Sequence, residues 1–405
     1  MRRRCRDLSR LEPKPQGGVG HIFRVELITV RDIAADRRLL ERWAELEANA
    51  LEPNPFFTPQ MVLPAARHLE DGRAAQLLVA THGGELRFLL PVSGSCGLRR
   101  TRLAGLRPWM HDYCFLGTPL LAADGDPDRV WAAVLEHLRR RHPAPVLVIP
   151  MHPAQGPVAA ALHRTGLAAG LGIRRSPVAT RGFVLRRPEP TYASEWMSRK
   201  HLANQARRRR HLARTIGAEV VTVDRSAGGA GQAIEQFLAL EAKGWKGRSR
   251  TALACRPGHA AFFREMAQGF ADQGRLMFLS MEAGSLVVAQ NTALVAGEGL
   301  FGFKRAYDEE FGRWSPGSLL DLDVLDWFHR TARLAWLDTC SASDDGEGSR
   351  AFGDRRPLCT VAVPLSPVGS AAAAMVPARV RARRYVGSTR AGQLVRRHRR
   401  AHKKG

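Results

Sequence analysis

Between Gly299 and Phe328 the sequence places a lysine, a phenol, acids and a helix start within one short window. Phe303-Lys304-Arg305-Ala306-Tyr307-Asp308-Glu309 reads as a strand end running into a charged loop. Ser315-Pro316-Gly317-Ser318 follows as a helix start, with Ser315 at the cap and Pro316 at the first helical position. Such a start carries free backbone N–H groups and the positive end of the helix dipole, and Gly317 leaves room for close approach. Arg313 adds charge nearby. The combination suits a pyrophosphate or a carboxylate, and an ordinary Ser-Pro cap without a ligand has the same sequence. Lys304 is the candidate cation for an oxyanion formed during acyl transfer. Tyr307 is a candidate acid for a leaving thiolate, and Asp308 or Glu309 a candidate base for an acceptor amine. The competing reading of these residues is a surface lysine, a packed ring and solvated acids.

A second cluster is Glu241-Ala242-Lys243-Gly244-Trp245-Lys246-Gly247. Gly244 and Gly247 would let the chain turn around Trp245, which would wall an acceptor pocket with Glu241 and Lys246, or else plug a helix C-terminus. In the first half, Trp109-Met110-His111-Asp112-Tyr113 is an aromatic and polar loop from which Asp112 and Tyr113 could reach the acceptor. His68, His163 and His259 read as surface residues. There is no GxSxG, HExxH, Walker loop or dinucleotide-binding glycine pattern. The six cysteines lack CxxC spacing, so neither zinc nor a disulfide framework is expected, and the compartment reads as reducing.

The elements that must position these groups follow from periodicity and breakers. Helices are expected at 34–48, from Pro59, at 128–141 and at 156–165. The strands Gln76–Ala80 and Glu85–Pro91 flank a turn, and further strands are expected at 100–106, 113–118 and 146–149. The second half repeats the order. Helices at 194–215, 231–243 and 259–272 precede a hairpin around Ala283-Gly284-Ser285, a strand at 299–304, a helix at 316–333, and strands at 334–339 and 359–364. A meander followed by strand, helix and strand gives a mixed sheet with helices on its faces.

The net charge of +24 is concentrated. Residues 1–10 carry +4, residues 199–214 carry +7 and residues 376–405 carry +11, which leaves the remainder almost neutral. The terminal segments read as basic disordered arms, and 199–214 and 379–405 as candidate contacts for RNA or an anionic membrane surface. Truncation after Ala378 is expected to leave folding intact. No run of about 18 apolar residues is present, so no membrane span is expected.

Residues from about 190 to 345 resemble the GNAT-type acyltransferase domain of the bacterial cellulose-biosynthesis-associated acetyltransferases, a family related to the Fem-type peptidyltransferases with paired GNAT folds. The resemblance rests on Arg207-Arg208-Arg209-Arg210, the Leu240–Gly247 cluster and Gly274-Arg275-Leu276 with its hairpin. It continues through Phe303-Lys304-Arg305-Ala306-Tyr307-Asp308, Ser315-Pro316-Gly317-Ser318-Leu319-Leu320 and Asp338. Asn54-Pro55-Phe56-Phe57-Thr58-Pro59 and Leu90-Pro91 extend it more loosely to the first half. It implies an α/β protein of two tandem GNAT-like domains, with mixed, largely antiparallel sheets and helices on their faces.

The domains would span 21–187 and 188–368, with basic disordered ends at 1–20 and 369–405. The implied activity is transfer of an acyl group, acetyl first, from acyl-CoA to an amine or hydroxyl of a saccharide, cell-surface precursor or small metabolite. Lys304, Tyr307 and Asp308 would be catalytic. Arg313, Ser315, Pro316, Gly317 and Ser318 would hold the donor, and Glu241, Trp245, Lys246, Asp112 and Tyr113 the acceptor. No metal is called for, and the location implied is cytoplasmic, with peripheral attachment to the inner membrane face left open. The Q/RxxGxG/A phosphate loop of ordinary GNAT enzymes is missing, and Ser315-Pro316-Gly317 stands in its place. The alternatives are Fem-like transfer from aminoacyl-tRNA, and a non-catalytic scaffold that binds anionic partners.

Overall fold

The structure is a computed structural model that describes residues 23–33, 36–93, 105–187, 192–341, 351–378 and 380, apart from the side chains at 71 and 73. The first half runs β1 (Arg24–Thr29), α1 (Val30–Ile33), α2 (Arg37–Ala48), α3 (Pro59–His68), β2 (Ala75–His82), β3 (Glu85–Ser93), β4 (Leu120–Leu121), α4 (Pro127–Arg141), β5 (Val146–Pro153) and α5 (Pro157–Ala168). The second runs β6 (Arg174–Leu185), α6 (Tyr192–Trp196), α7 (Arg199–Ile216), β7 (Val220–Asp224), α8 (Ala230–Lys243), α9 (Trp245–Arg248) and α10 (Pro257–Asp272). It closes with β8 (Leu276–Ala283), β9 (Leu286–Ala296), β10 (Gly299–Tyr307), α11 (Pro316–Arg330), β11 (Trp336–Asp338) and β12 (Asp354–Pro364).

The class is mixed α/β, as the sequence implied. Strands β1-β2-β3-β4 form an antiparallel sheet, and β5-β12-β6-β11-β10-β9-β8-β7 form a sheet of eight. In the larger sheet β10 and β11 are parallel and the other neighbours antiparallel. The β2–β3 turn uses Gly83 and Gly84 at φ of 60° and 87°, a conformation whose twist matches the strands it joins and which glycine adopts without strain. The last strand, β12, lies between β5 of the first half and β6, so the eight-stranded sheet draws on both halves.

The halves also share a core. Phe56 packs edge-on against Phe301, with ring centroids 6.1 Å apart, and Phe115 meets Phe303 at 6.0 Å. Helix α3 lies against α10, where Glu265 accepts from His68 Nε2 at 2.7 Å and pairs with Arg67. The second core, between the sheet and α11, is built around Leu300, Leu320, Val324 and Phe328.

Several elements differ from the sequence expectations. The segment 113–118 forms no ladder. It lies flat on β5, where a Cβ at Gly117 would meet Pro150 O at 2.1 Å. The expectation at 100–106 falls mostly outside the described residues, and Leu106 makes only an isolated bridge to Leu147. Strand β6 went unread because Arg174, Arg175, Pro177 and Arg181 break its apolar alternation, yet it pairs on both sides. The basic helix is two helices, α6 and α7, and Ser198 caps the second by accepting from His201 N at 3.2 Å. Residues 367–378, expected in part as tail, are helical: Ala372, Ala373 and Val376 are buried against Val146, Val148 and Ala362. The expectations for 1–20 and for 379–405, Val380 excepted, lie outside the described residues.

Candidate active site

Strands β10 and β11 pair only where Gly299, Leu300 and Phe301 face Trp336, Leu337 and Asp338. Beyond Phe301 they part. Glycine is required at the parting point, since a Cβ at Gly302 would meet Thr339 O at 2.5 Å. A cavity of about 340 Å³ fills the gap, with Gly302, Phe303, Lys304 and Arg305 on one side and Thr339, Cys340 and Ser341 on the other. Burial raises the Cys340 thiol well above its ordinary value, so it stands in this wall as an un-ionised group.

A bulge in β10 aims the lysine. Gly302 faces Ala293 and Lys304 faces Thr292, so Phe303 is an extra residue between them. The Lys304 backbone is satisfied by a side chain: its N–H donates to Thr292 Oγ1 at 3.2 Å, and that hydroxyl donates to Lys304 O at 3.1 Å. The bulge sends Phe303 and Lys304 to the same side, where both meet Tyr113 of the first half. Lys304 Nζ sits 5.0 Å from the ring centroid and Phe303 at 6.3 Å. Lys304 is thus no surface lysine: its side chain is 14% exposed, and Nζ donates to Glu241 Oε1 at 3.1 Å. Burial lowers its pKa, with Glu241 opposing.

Glu241 is the hub of the cluster around Lys304 and Lys246. Its side chain is 1% exposed and accepts from Lys304, from Lys246 Nζ at 2.9 Å and from Leu253 N at 2.8 Å. Burial pushes its carboxyl up, but the two lysine charges outweigh that and hold it below the usual value. Lys246 also donates to Arg305 O at 3.2 Å. Trp245 opens α9 and is 44% exposed, so it stands at the rim and plugs nothing. Gly244 and Gly247 do not take the left-handed conformation. Gly247 is needed for close approach, since a Cβ there would meet Ala242 O at 1.7 Å.

Tyr113 of the first half joins this cluster through Lys304, whose Nζ lies over its ring. Burial first, then Asp112 and Glu241, raise its phenol, which stays protonated and shares a hydrogen bond with His259 Nδ1 at 2.5 Å. Behind it His111 is buried, and burial pushes its pKa down to about 3, so the ring is neutral and accepts from Tyr113 N at 3.2 Å. His259, read from sequence as a surface residue, therefore belongs to this group.

The helix start is less simple than a Ser-Pro cap. Ser315 is in the left-handed region at φ 53°, and its side chain caps nothing in α11. Its Oγ accepts instead from Arg208 Nη1 of α7 at 3.1 Å. Arg209 donates to Asp323 Oδ1 at 2.7 Å, and His211 stacks on Trp314 with centroids 5.2 Å apart. Two arginines of the 207–210 run are thus turned towards α11. Gly317 lies beside Arg305 and Tyr307, where a Cβ would meet Arg305 Nε at 3.3 Å and Tyr307 Cδ1 at 3.5 Å. Arg305 pairs with buried Asp321 on α11. Arg313 lies over the Trp314 ring at 4.8 Å and is exposed.

The two acids after Tyr307 serve the architecture. Asp308 is 3% exposed, caps the 3₁₀ turn Glu309–Trp314 by accepting from Glu310 N at 3.1 Å, and pairs with Lys243 Nζ at 2.9 Å. Glu309 accepts from Trp245 N at 2.5 Å and pairs with Arg248. Both tie the β10–α11 loop to the loop after α8. Tyr307 is 36% exposed at the end of β10.

The sequence reading missed the polar group at the floor of the wedge. Asp338 is fully buried, with Arg356 Nη1 at 3.2 Å and Arg181 Nη1 at 3.6 Å, and it accepts from Cys340 N at 2.8 Å. Arg181, 1% exposed, also donates to Phe115 O and thereby reaches the first half. The available signal was an arginine recurring in the 174–185 and 354–364 segments, but neither arginine can be placed without the strand order.

Residues 199–345 match the family described as an acetyltransferase (GNAT) domain. Among solved structures the chain is similar to a conserved protein of unknown function from Bacteroides thetaiotaomicron, at 14% identity and TM-score 0.49, over 80% of this chain and 97% of that one. It is similar to FemX at 9% identity and TM-score 0.49, over 81% and 94%. It is also similar to a tandem GNAT protein from the clavulanic acid biosynthesis pathway, at 16% identity and TM-score 0.42, over 85% and 99%. No curated protein matches the chain.

Proposed function

We propose that the GNAT half of this chain transfers an acyl group from acyl-CoA, acetyl-CoA being the simplest donor, to an amine or hydroxyl of a saccharide, cell-surface precursor or small metabolite. The observation that carries this reading is the parting of parallel strands β10 and β11 beyond Phe301, with a cavity between them and Lys304 in its wall. An extended thioester fits such a gap, because no ladder joins β10 to β11 beyond Phe301 and Asp338. The donor's phosphates would lie at the start of α11, where Arg208 Nη1 donates to Ser315 Oγ two residues before Gly317. The acceptor would approach from the side of Tyr113, Glu241 and Trp245. Attack breaks the acyl–sulfur bond and forms an acyl–nitrogen or acyl–oxygen bond. The acceptor's proton leaves to solvent or a neighbouring base, and in this reading the Tyr307 phenol gives its proton to the leaving thiolate. Lys304 faces the oxygen on which negative charge develops.

The discriminating experiment is calorimetric titration with acetyl-CoA, longer acyl-CoAs and aminoacyl-tRNA. Saturable binding of an acyl-CoA supports the reading. Binding of aminoacyl-tRNA with no affinity for any acyl-CoA overturns it in favour of peptidyl transfer. Gly317→Leu is expected to weaken acyl-CoA binding by about tenfold or more, because its side chain must displace Arg305 or Tyr307 at the anion end. The melting temperature should change by only a few degrees. An unchanged affinity would make this helix start a cap only.

A further inference from the structure

Acyl transfer releases a proton from the acceptor, and the acids near Lys304 are poor places for it. Glu241 is 1% exposed, holds three donors and is kept charged by two lysines. Asp308 is buried against Lys243, and Glu309 pairs with Arg248. His259 differs. It is half-buried in the first turn of α10, and its Nδ1 shares a 2.5 Å hydrogen bond with Tyr113, whose ring centroid lies 5.0 Å from Lys304 Nζ. Among the described residues nothing bonds its other ring nitrogen, Nε2. His111, the second imidazole beside Tyr113, is no rival: its Nδ1 accepts from Tyr113 N and its Nε2 is buried without a partner. Burial first, then Arg256 at the cap of α10, hold the His259 pKa below the ordinary 6.5; Lys304 adds to this, and Asp112 and Glu70 oppose it. The positive end of the α10 dipole also disfavours an imidazolium there. The ring is therefore mostly neutral near pH 7, as a base must be.

We infer that His259 Nε2 takes the acceptor's proton, while Tyr113 fixes the ring by accepting a hydrogen bond from Nδ1–H. This inference rests on the acyl-transfer reading. The acceptor's N–H or O–H proton passes to Nε2 as the lone pair of that nitrogen or oxygen closes on the carbonyl carbon. The carbon–sulfur bond breaks, and sulfur keeps the electron pair until Tyr307 protonates it. The half-exposed imidazolium then returns its proton to solvent. Tyr113 belongs to the first half and His259 to the second, so the base is complete only where the two halves meet.

The test measures thiol release from acetyl-CoA across pH, with glucosamine as the acceptor and with water alone. The wild-type kcat/KM should fall on an acidic limb with its midpoint below 6.5, because protonated His259 cannot accept. His259→Ala should abolish that limb and lower the rate by about two to four decades. Its melting temperature and acetyl-CoA affinity should hardly change, and free imidazole should restore part of the rate. His259→Gln can still bond Tyr113 and should be equally slow. Tyr113→Phe keeps the ring beside Lys304, and should lower the rate by about tenfold or more through loss of one hydrogen bond to a charged group. An acidic limb that persists in His259→Ala, no rescue by imidazole, or a Gln variant as fast as the wild type overturns the inference and leaves the donor reading standing. So does acetyl-CoA that binds but releases no thiol to either acceptor. Absence of any acyl-CoA binding overturns the donor reading itself, and this inference with it.

Discussion

Lys304→Met should lower kcat by about two to three decades, the usual effect of removing one preorganised donor from an oxyanion. KM and melting temperature should hardly move. Negative charge grows on the carbonyl oxygen during attack, so a cation beside it favours the transition state over the bound substrate and acts on kcat. The fold should tolerate the change. Methionine keeps most of the side-chain volume, and Glu241 is not orphaned, because Lys246 Nζ at 2.9 Å and Leu253 N at 2.8 Å still serve it. The pH profile gives a second reading. Burial lowers the Lys304 pKa from an ordinary 10.5, so as pH rises its proton is lost earlier than from a free lysine. The wild-type rate should therefore fall on an alkaline limb below the ordinary lysine range, and that limb should vanish in Lys304→Met. Release of free thiol from acetyl-CoA in the presence of acceptor measures both. A variant with near-normal kcat would make Lys304 an internal counter-ion for Glu241 and move the search for the reaction centre to Tyr113 and His259.

The largest stability effect should come from Asp338→Ala. The change leaves Arg181, 1% exposed, and Arg356 facing each other without their shared carboxylate, and it removes the acceptor of Cys340 N. Breaking a buried pair in this way costs about 3–5 kcal/mol, because an uncompensated charge stays inside. A fall in melting temperature on the order of ten degrees is expected. Adding Arg181→Met should restore part of the loss, since it removes the stranded charge and fills the space with apolar volume. If Asp338→Ala melts within a degree or two of the parent, solvent reaches the cluster and it does not brace the wedge.

Much of the frame was legible because it is local. The hairpin at Gly83-Gly84 is set by two residues that accept positive φ, and helices such as Pro127–Arg141 by a cap, a proline and an apolar stripe. The β10 end, the Ser315-Pro316 helix start and the Glu241–Gly247 cluster were legible as chemistry, because residue type and spacing along one strand or helix survive folding unchanged. Tertiary structure decided what each group faces. The bulge at Phe303 turns Lys304 towards Glu241 and Tyr113, residues 63 and 191 positions away in a 405-residue chain, and no spacing rule connects them. Asp308 and Glu309 become braces only because the α8 loop lies across them, and Ser315 gives its hydroxyl to an arginine of α7. The Arg181–Asp338–Arg356 group exists only once β6, β11 and β12 lie side by side. Local sequence fixes dihedral preferences and the apolar stripe. The partners of a buried charge are chosen by whichever strands and helices pack around it, because burial makes an unpaired charge too costly to keep.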